Sequence, residues 1–414
     1  MDMAGLELGN RLLRHGGLIF HEPGLLPSSR PTTKGLSYPL SDRYLYIIRS
    51  AGVKQAQYVC LRRALRDPFG AEIAEYVAAL RRNRQHPSVA RKSYRTRLPP
   101  VDRAKTQRCQ VSVILPTLGR YGFLRQLLEQ LSRQTIRPLE VLCVDQNPLA
   151  ERRPGLYEEF REKLNLRVMW QSERGQWTAR NAAIRESKAD YLLFLDDDSE
   201  IDRNFIESHL QCLFAFDAAI SAGASLSEVG APVPLNYSFY RVADQFDSGN
   251  AMVRRDAFRK VGLFDTQYDL QRRGDGEFGI RAYLHGLLSI HSPTARRIHL
   301  KSARGGLRVY GSWDAFRTKG LLAPKPSPSV LYMCMTYFSR RAMREEIILG
   351  FLDSWTPYRL KGRIGGIQRA LYACWGVLGL PRDVIRLLRS IRQAKKMFSQ
   401  GAGIQELPRP EGSV

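Results

Sequence analysis

The chain lacks a run of apolar residues long enough to cross a bilayer, which takes about 20 residues in a helix. The longest candidate, Ala370 to Leu380, spans only about half of that length. The amino-terminal region carries Glu7, Arg11 and Arg14 and no sustained apolar stretch, unlike a secretory signal peptide. We therefore expect a cytoplasmic protein without a spanning segment.

Paired cysteines are also missing. The six cysteines are scattered along the chain, and no two form a C-x-x-C pair. Cys143 lies inside an apolar strand pattern, which suits a buried free thiol better than a disulfide. This usage indicates a reducing compartment.

Acidic residues are scarce relative to basic ones. The chain has 64 Lys and Arg against 40 Asp and Glu, so its formal net charge is +24. Such an excess predicts an anionic partner: nucleic acid, an acidic membrane face or phosphorylated small molecules. The hydrophobic fraction of 43% is enough for a large core and excludes global disorder.

An α/β architecture is predicted from residue 111 onward. Strand patterns at 111–115, 139–144, 166–170 and 191–195 alternate with helical patterns at 121–134 and 178–187. This alternation is typical of βαβ units with a mainly parallel sheet. Before it, Tyr44–Ile48 is predicted as a strand, and Gln57–Arg66 and Ala71–Leu80 as helices.

Four regions are expected along the chain. Residues 1–108 are predicted to form an amino-terminal α/β extension that ends in a basic connector, and residues 109–311 the main α/β domain. Helical periodicity with many Arg and Lys predicts a basic amphipathic region at 312–400. We expect the tail, 401–414, to be disordered.

The strongest candidate site is the acidic triplet Asp196-Asp197-Asp198, which follows the apolar strand 191–195. Asp196 and Asp198 alternate in an extended segment, so both can point the same way and offer oxygen ligands to a divalent metal. Open α/β sheets bind ligands at this end of their strands. The alternative is a solvated turn that caps the next helix.

Polar residues follow the other predicted strands as well. Arg120 can meet a phosphate in the turn after the first strand, and Asp145 can accept hydrogen bonds from a base or ribose or cap the next segment. A glycine loop at Gly175 opens a helix whose amino end favours phosphate. A plain structural turn remains the alternative at each position.

The ordered series of these motifs resembles the family 2 glycosyltransferases, which have the GT-A fold. The likeness covers about 110–308, and its motifs are Val111–Arg120, Val144-Asp145, Arg174–Asn181, Phe194–Asp198, Asp247–Asp265 and Arg273–Arg281. The resemblance implies transfer of a sugar, with inversion, from a nucleotide-diphosphate donor. It also implies a divalent cation, Mn²⁺ or Mg²⁺, on the Asp triplet.

The resemblance assigns roles residue by residue. Asp275 takes the position of the catalytic base and Glu277 lies beside it, with Gly274 where the family usually has an acid. The metal ligands would be Asp196, Asp198 and His299, and the acceptor side Gly249 and Asn250. The donor would be bound by Pro116, Thr117, Arg120, Asp145, Gly175, Arg180, Asp196 and Asp197. Without the resemblance, Asp275 and Glu277 would be helix caps, and His299 a structural histidine.

The carboxy-terminal helices combine cations with aromatic residues, which suits an anionic membrane surface. Packing on the catalytic domain with a solvated basic face is the alternative. The predicted function is sugar transfer to a saccharide or lipid-linked acceptor in bacterial surface polysaccharide or glycolipid assembly, at the inner face of the cell membrane. A basic nucleic-acid-binding protein and a catalytically silent glycosyltransferase-like scaffold are the competing hypotheses. No nucleic-acid-binding module is recognisable.

Overall fold

The structure is a computed structural model, and contacts divide it into two compact units. The first unit is Met1–Arg97 with Pro234–Val242, and the second is Leu98–Val233 with Ala243–Val414. The residues that the structure describes are 7–10, 12, 39–65, 70–85, 96–227, 233, 235–243, 245–301, 306–307, 320–356, 360 and 365–408.

The described residues of the first unit include the helices α1 (Leu40–Ala51), α2 (Val53–Ala64) and α3 (Ala71–Gln85). A 3₁₀ turn at Leu235–Tyr237 and a two-residue strand at Arg241–Val242 also belong to it. The strand predicted at Tyr44–Ile48 is wrong, because that segment lies inside α1. Tyr44, Leu45 and Ile48 share one helix face and pack into the core of this unit. The helices predicted near 57–66 and 71–80 are confirmed.

The second unit contains a mixed sheet. Its strands are β1 (Val111–Thr117), β2 (Glu140–Asp145), β3 (Leu166–Trp170), β4 (Tyr191–Leu195), β5 (Ser199–Ile201), β6 (Ile220–Leu226), β7 (Asn250–Arg254) and β8 (Ser289–His299). They pair in the order β3-β2-β1-β4-β7-β6-β8-β5. The first four strands are parallel, as predicted, whereas β7 runs antiparallel to both β4 and β6.

Eleven helices of the second unit lie within its described residues. They are α4 (Arg103–Gln107), α5 (Tyr121–Ser132), α6 (Pro154–Glu158), α7 (Gln176–Glu186), α8 (Phe205–Phe216), α9 (Arg255–Val261), α10 (Gly274–Leu284), α11 (Pro328–Tyr337), α12 (Arg340–Asp353), α13 (Gly366–Leu378) and α14 (Leu380–Ser399). Short 3₁₀ turns occur at Leu149–Glu151 and Thr266–Tyr268. None of the described helices is long and apolar enough to span a membrane.

The core of the second unit is rich in aromatic rings. Phe194 of β4 contacts Phe246, Phe258 and Phe264, with ring centroids 5.5 to 6.3 Å apart. Leu331, Tyr332 and Met333 of α11, and Ala394 of α14, belong to the same buried cluster. The unit therefore continues through the boundary predicted at 311, because α11 buries its apolar face against the sheet domain.

The disordered tail predicted at 401–414 is wrong for residues 401–408. Leu263 donates its backbone N–H to the carbonyl of Gln405 at 2.8 Å, and Gly403 donates to Asp265 at 2.9 Å. Leu407 is buried in the same hydrophobic cluster as the sheet. These contacts order the segment after α14, while residues 409–414 lie outside the described part of the chain.

Candidate active site

Two carboxylates and an imidazole meet at the carboxyl ends of the strands. Asp196 and Asp198 follow β4, and His299 ends β8. The antiparallel pairing of β5 with β8 sets Ser199 opposite His299 and so carries the histidine to the triplet. One ligand atom from each of the three residues lies within 4.8 Å of the others. Oxygen and imidazole ligands at this spacing fit a divalent metal ion.

Asp196 is oriented by two buried arginines. Its Oδ1 accepts a hydrogen bond from Arg180 at 2.8 Å, and its Oδ2 accepts one from Arg297 at 3.2 Å. Arg180 also donates to the carbonyl of Ser248 at 3.1 Å and lies over the ring of Trp177. The Asp196 side chain keeps 22% of its surface exposed, so a bound ion can reach it.

Asp198 is held between a cation and the histidine. Its Oδ2 lies 3.0 Å from Arg120 Nη1 and 3.4 Å from His299 Nε2. Burial acts to raise the pKa of Asp198, but the hydrogen bond with His299 and the charge of Arg120 bring it below its usual value. The carboxylate is therefore ionised at neutral pH, which is the form that ligates a metal.

Asp197 is not part of the group of possible metal ligands, but it shares Arg120 Nη1 with Asp198. It is buried, and it accepts hydrogen bonds from Thr117 Oγ1 at 2.7 Å and Arg120 Nη1 at 3.0 Å. Burial is the main cause that raises its pKa to about 6. Asp197 and Thr117 thus tie the end of β4 to the end of β1, and Pro116 is buried within β1. These contacts have a structural role, and the donor contacts of the three residues stay predictions.

Asp145 is also structural. It is fully buried, and its Oδ2 accepts hydrogen bonds from the hydroxyls of Tyr121 and Tyr157, each at 2.7 Å. Its Oδ1 accepts from the backbone and side-chain nitrogens of Asn147 at 2.8 and 2.7 Å. Four protein donors saturate this carboxylate. These contacts favour the alternative, a cap of the segment after β2, and the contact with a base or ribose stays a prediction.

The amino end of α7 is capped by a protein carboxylate, which favours the structural turn over the predicted phosphate contact. Asp269 accepts from the backbone nitrogen of Trp177 at 2.6 Å and from the hydroxyl of Thr178 at 2.5 Å. A Cβ at Gly175 would lie 2.6 Å from Asp269 Oδ2. Gly175 therefore gives room to this capping carboxylate rather than to the donor.

The acceptor residues predicted in β7 and before it face inward. Asn250 is buried, with Oδ1 3.0 Å from His209 Nε2 and Nδ2 donating to the carbonyl of Ala295 at 3.2 Å. A Cβ at Gly249 would lie 2.3 Å from both Asp196 Oδ2 and Arg297 Nη1. Gly249 therefore gives room to the metal-ligating carboxylate, and Asn250 organises the core beneath it.

The two carboxylates of the predicted catalytic block differ in exposure. Glu277 is 1% exposed, and it accepts hydrogen bonds from Arg281 Nε and Nη2 at 2.8 and 2.9 Å and from Tyr337 at 2.5 Å. Its predicted catalytic role is corrected to a buried ion pair. Asp275 is half-buried in the first turn of α10, and its Oδ1 accepts from the backbone nitrogen of Gly276 at 2.9 Å.

Arg297 and Asp247 are site residues that the sequence analysis missed. Arg297 is buried, and besides Asp196 it contacts Asp247 at 3.2 Å and Ser199 at 3.1 Å. Burial acts to lower the pKa of Arg297, but the two aspartates hold it above the ordinary value. A signal was present: residues 297 and 299 alternate along β8 and so share the face that carries His299.

A groove of about 940 Å³ lies beside Arg120. It is lined by the first turn of α5 and by the segment 147–153 that follows β2. Arg152 lies over the ring of Trp170 at 4.8 Å, and Arg153 over the ring of Tyr121 at 5.6 Å. The volume is that of a small-molecule site, and the arginines favour an anionic ligand.

The family model described as "Glycosyl transferase family 2" matches residues 112–237. This part of the chain therefore belongs to glycosyl transferase family 2. The predicted family and the glycosyltransferase class are therefore confirmed, and the mixed sheet agrees with the predicted α/β fold class. The matched segment includes the Asp triplet, Arg120 and Arg180, while His299 and Asp275 lie beyond it.

Similar proteins come from several bacteria. The uncharacterized glycosyltransferase YwdF of Bacillus subtilis is 27% identical over 186 residues, which are 42% of this chain and 68% of that protein. The O-antigen biosynthesis protein RfbC of Myxococcus xanthus is 24% identical over 263 residues, 56% of this chain and 20% of that protein. The chain thus spans about two thirds of the first relative and a fifth of the second.

The third relative is the poly(ribitol-phosphate) beta-N-acetylglucosaminyltransferase TarS of Staphylococcus aureus. It is 29% identical over 109 residues, 24% of this chain and 19% of that protein. The crystal structure of TarS residues 1–349 aligns with a TM-score of 0.40 at 16% identity and covers 74% of this chain and 98% of that one.

Proposed function

We propose that this chain moves a sugar, with inversion, from a nucleotide-diphosphate donor to a saccharide or lipid-linked acceptor in bacterial surface polysaccharide or glycolipid assembly. The observation that carries the proposal is the meeting of Asp196, Asp198 and His299 at one edge of the sheet. The names of RfbC, an O-antigen biosynthesis protein, and of TarS, which acts on poly(ribitol-phosphate), support the polysaccharide context. We propose that this transfer takes place at the inner face of the cell membrane.

The residues of the triplet suit a diphosphate leaving group. Asp196 and Asp198, with His299, would hold Mn²⁺ or Mg²⁺, and the ion would stabilise the negative charge that develops as the glycosidic bond breaks. Arg120 is aligned by Asp197 and Asp198 and borders the groove, so it can meet the same phosphates. The groove beside it has room for the nucleoside part of the donor.

Asp275 is the proposed general base. Inversion by single displacement needs one group that removes the proton of the acceptor hydroxyl. Gly274 lies against Trp177, Trp177 against Arg180, and Arg180 against Asp196. This chain of contacts supports a location of Asp275 near the metal-ligating edge. Because Glu277 is buried in its ion pair with Arg281, Asp275 is the carboxylate of the block whose side chain is partly exposed to a substrate.

Calorimetry of nucleoside diphosphates with and without Mn²⁺ tests the donor site. We expect Mn²⁺-dependent binding in the native chain and its loss in Asp198→Ala. Asp256→Ala is the matched control, because that exposed carboxylate lies on α9 in a salt bridge with Lys260. Unchanged metal-dependent affinity in Asp198→Ala would remove the triplet from the site.

The stereochemical proposal has its own measurement. NMR of the transferred sugar should show the opposite anomeric configuration from the donor, and retention would overturn the single displacement. Salt-sensitive binding of an RNA homopolymer, together with no binding of any nucleotide sugar, would favour the nucleic-acid alternative.

A further inference from the structure

The helices α13 and α14 carry a group of exposed apolar side chains that no described residue covers. On α13 these residues recur at the spacing of one helix face, and on α14 they occupy the first half of the helix. Their exposure ranges from 40% to 82%. We call this group the apolar patch, and its members are Ile367, Leu371, Trp375, Leu378, Leu380, Val384, Ile385 and Leu388.

The exposed charges that α13 and α14 themselves carry, among the side chains that the structure describes, are all positive. The second half of α14 exposes the cations Arg389, Arg392, Lys395 and Lys396. The sequence of α13 and α14 contains one acidic residue, Asp383. Its carboxylate is buried and lies 3.4 Å from both Lys325 and Arg386. The exposed part of this helix pair therefore offers apolar surface and positive charge to a partner.

We propose that the apolar patch and its neighbouring cations dock on the surface of an anionic lipid bilayer. The binding would be peripheral, with the apolar side chains and Trp375 in the interfacial region and the cations among the headgroups. The charge pattern argues against a second copy of the chain, since two such faces would place like charges together. This inference concerns attachment, and it stands whether or not the proposed transfer reaction is correct.

Co-sedimentation of the full chain with vesicles tests the proposal. We expect binding to phosphatidylcholine vesicles that contain phosphatidylglycerol, weak binding to pure phosphatidylcholine, and release as the salt concentration rises. The variant Arg392→Gln/Lys395→Gln/Lys396→Gln should lower partitioning about fivefold for each charge removed. The control variant Lys105→Gln/Arg108→Gln/Arg137→Gln neutralises three exposed cations outside α13 and α14. This variant should lower partitioning to a smaller extent.

The apolar contribution is tested separately with Leu371→Gln/Leu378→Gln, and Leu149→Gln supplies an exposed apolar control from a different element. Tryptophan emission should shift to the blue when vesicles are added, and Trp375→Phe should remove most of that shift. No vesicle binding at low salt, or equal losses in the patch and control variants, would overturn the proposal. So would light scattering that shows a dimer broken by Leu371→Gln/Leu378→Gln without vesicle binding.

Discussion

The buried pair Glu277–Arg281 and the half-buried Asp275 lie within about two turns of α10, yet they should respond differently to mutation. Glu277→Gln removes a charge that has almost no contact with water. Arg281 would then face an uncharged amide at the two positions where it now donates at 2.8 and 2.9 Å. Asp275→Asn, two residues earlier, removes a charge that solvent already reaches.

The expected magnitude follows from burial. Removing one partner of a buried ion pair costs about 3–5 kcal/mol, because the remaining charge stays desolvated without compensation. Arg281 keeps its bonds to the carbonyls of Val261 and Gly262, so we expect the lower half of that range. For Asp275→Asn we expect a stability change within about 0.5 kcal/mol and a kcat lowered roughly a hundred- to ten-thousand-fold.

Urea unfolding followed by circular dichroism measures the stability of both variants, and release of nucleoside diphosphate measures their turnover. Donor affinity should be nearly unchanged in Asp275→Asn, since a base acts on the acceptor proton in the transition state. The double variant Glu277→Leu/Arg281→Met should lose less stability than the two single changes together, because it leaves no unpaired charge. If Glu277→Gln kept its urea midpoint and slowed transfer more than Asp275→Asn, the assignment of the base would be refuted.

Two further predictions address the packing beneath the site. Gly249→Ala places a Cβ 2.3 Å from Asp196 Oδ2 and Arg297 Nη1, so calorimetry should show weaker Mn²⁺-dependent nucleotide binding, and an unchanged affinity would contradict the geometry. His209 is buried beside Asn250, and burial lowers its pKa from 6.5 to about 4. Between these two pH values the unfolded chain binds a proton at His209 and the folded chain does not. The free energy of unfolding should therefore fall by up to about 3 kcal/mol as the pH drops from about 6.5 to about 4. Urea midpoints between neutral and mildly acidic pH check this, and His209→Gln should show a flatter pH dependence, whereas an equal slope would assign the effect to other groups.

The sequence was sufficient to predict the parallel half of the sheet and the residues at its carboxyl edge. Strands β1, β2 and β4 are largely apolar runs, and such runs are typical of strands covered on both faces. The sequence was less informative for Tyr44–Ile48, because a short apolar run fits a strand and a helix equally well. Packing within the first unit stabilises this segment as part of the helix α1.

Partners from distant parts of the chain hold several of the predicted site residues, and the sequence alone did not show these contacts. Asp145 is saturated by Tyr157, twelve residues away, and by Tyr121, twenty-four residues away. The amino end of α7 is capped by Asp269, which follows it by ninety-one residues. A motif shows that a carboxylate or a helix end is present, but only the fold shows which protein donors already use it.

Gly274, where the family usually has an acid, has a physical explanation in Trp177. A Cβ at position 274 would lie 2.4 Å from the indole ring of Trp177, and that ring is buried against Phe264 and donates its N–H to the carbonyl of Tyr268 at 3.1 Å. Trp177 therefore fills space that any side chain at 274 would need. With no acid at 274 and with Glu277 paired to Arg281, Asp275 is the half-exposed carboxylate of the block, and this is why we propose it as the base in preference to Glu277.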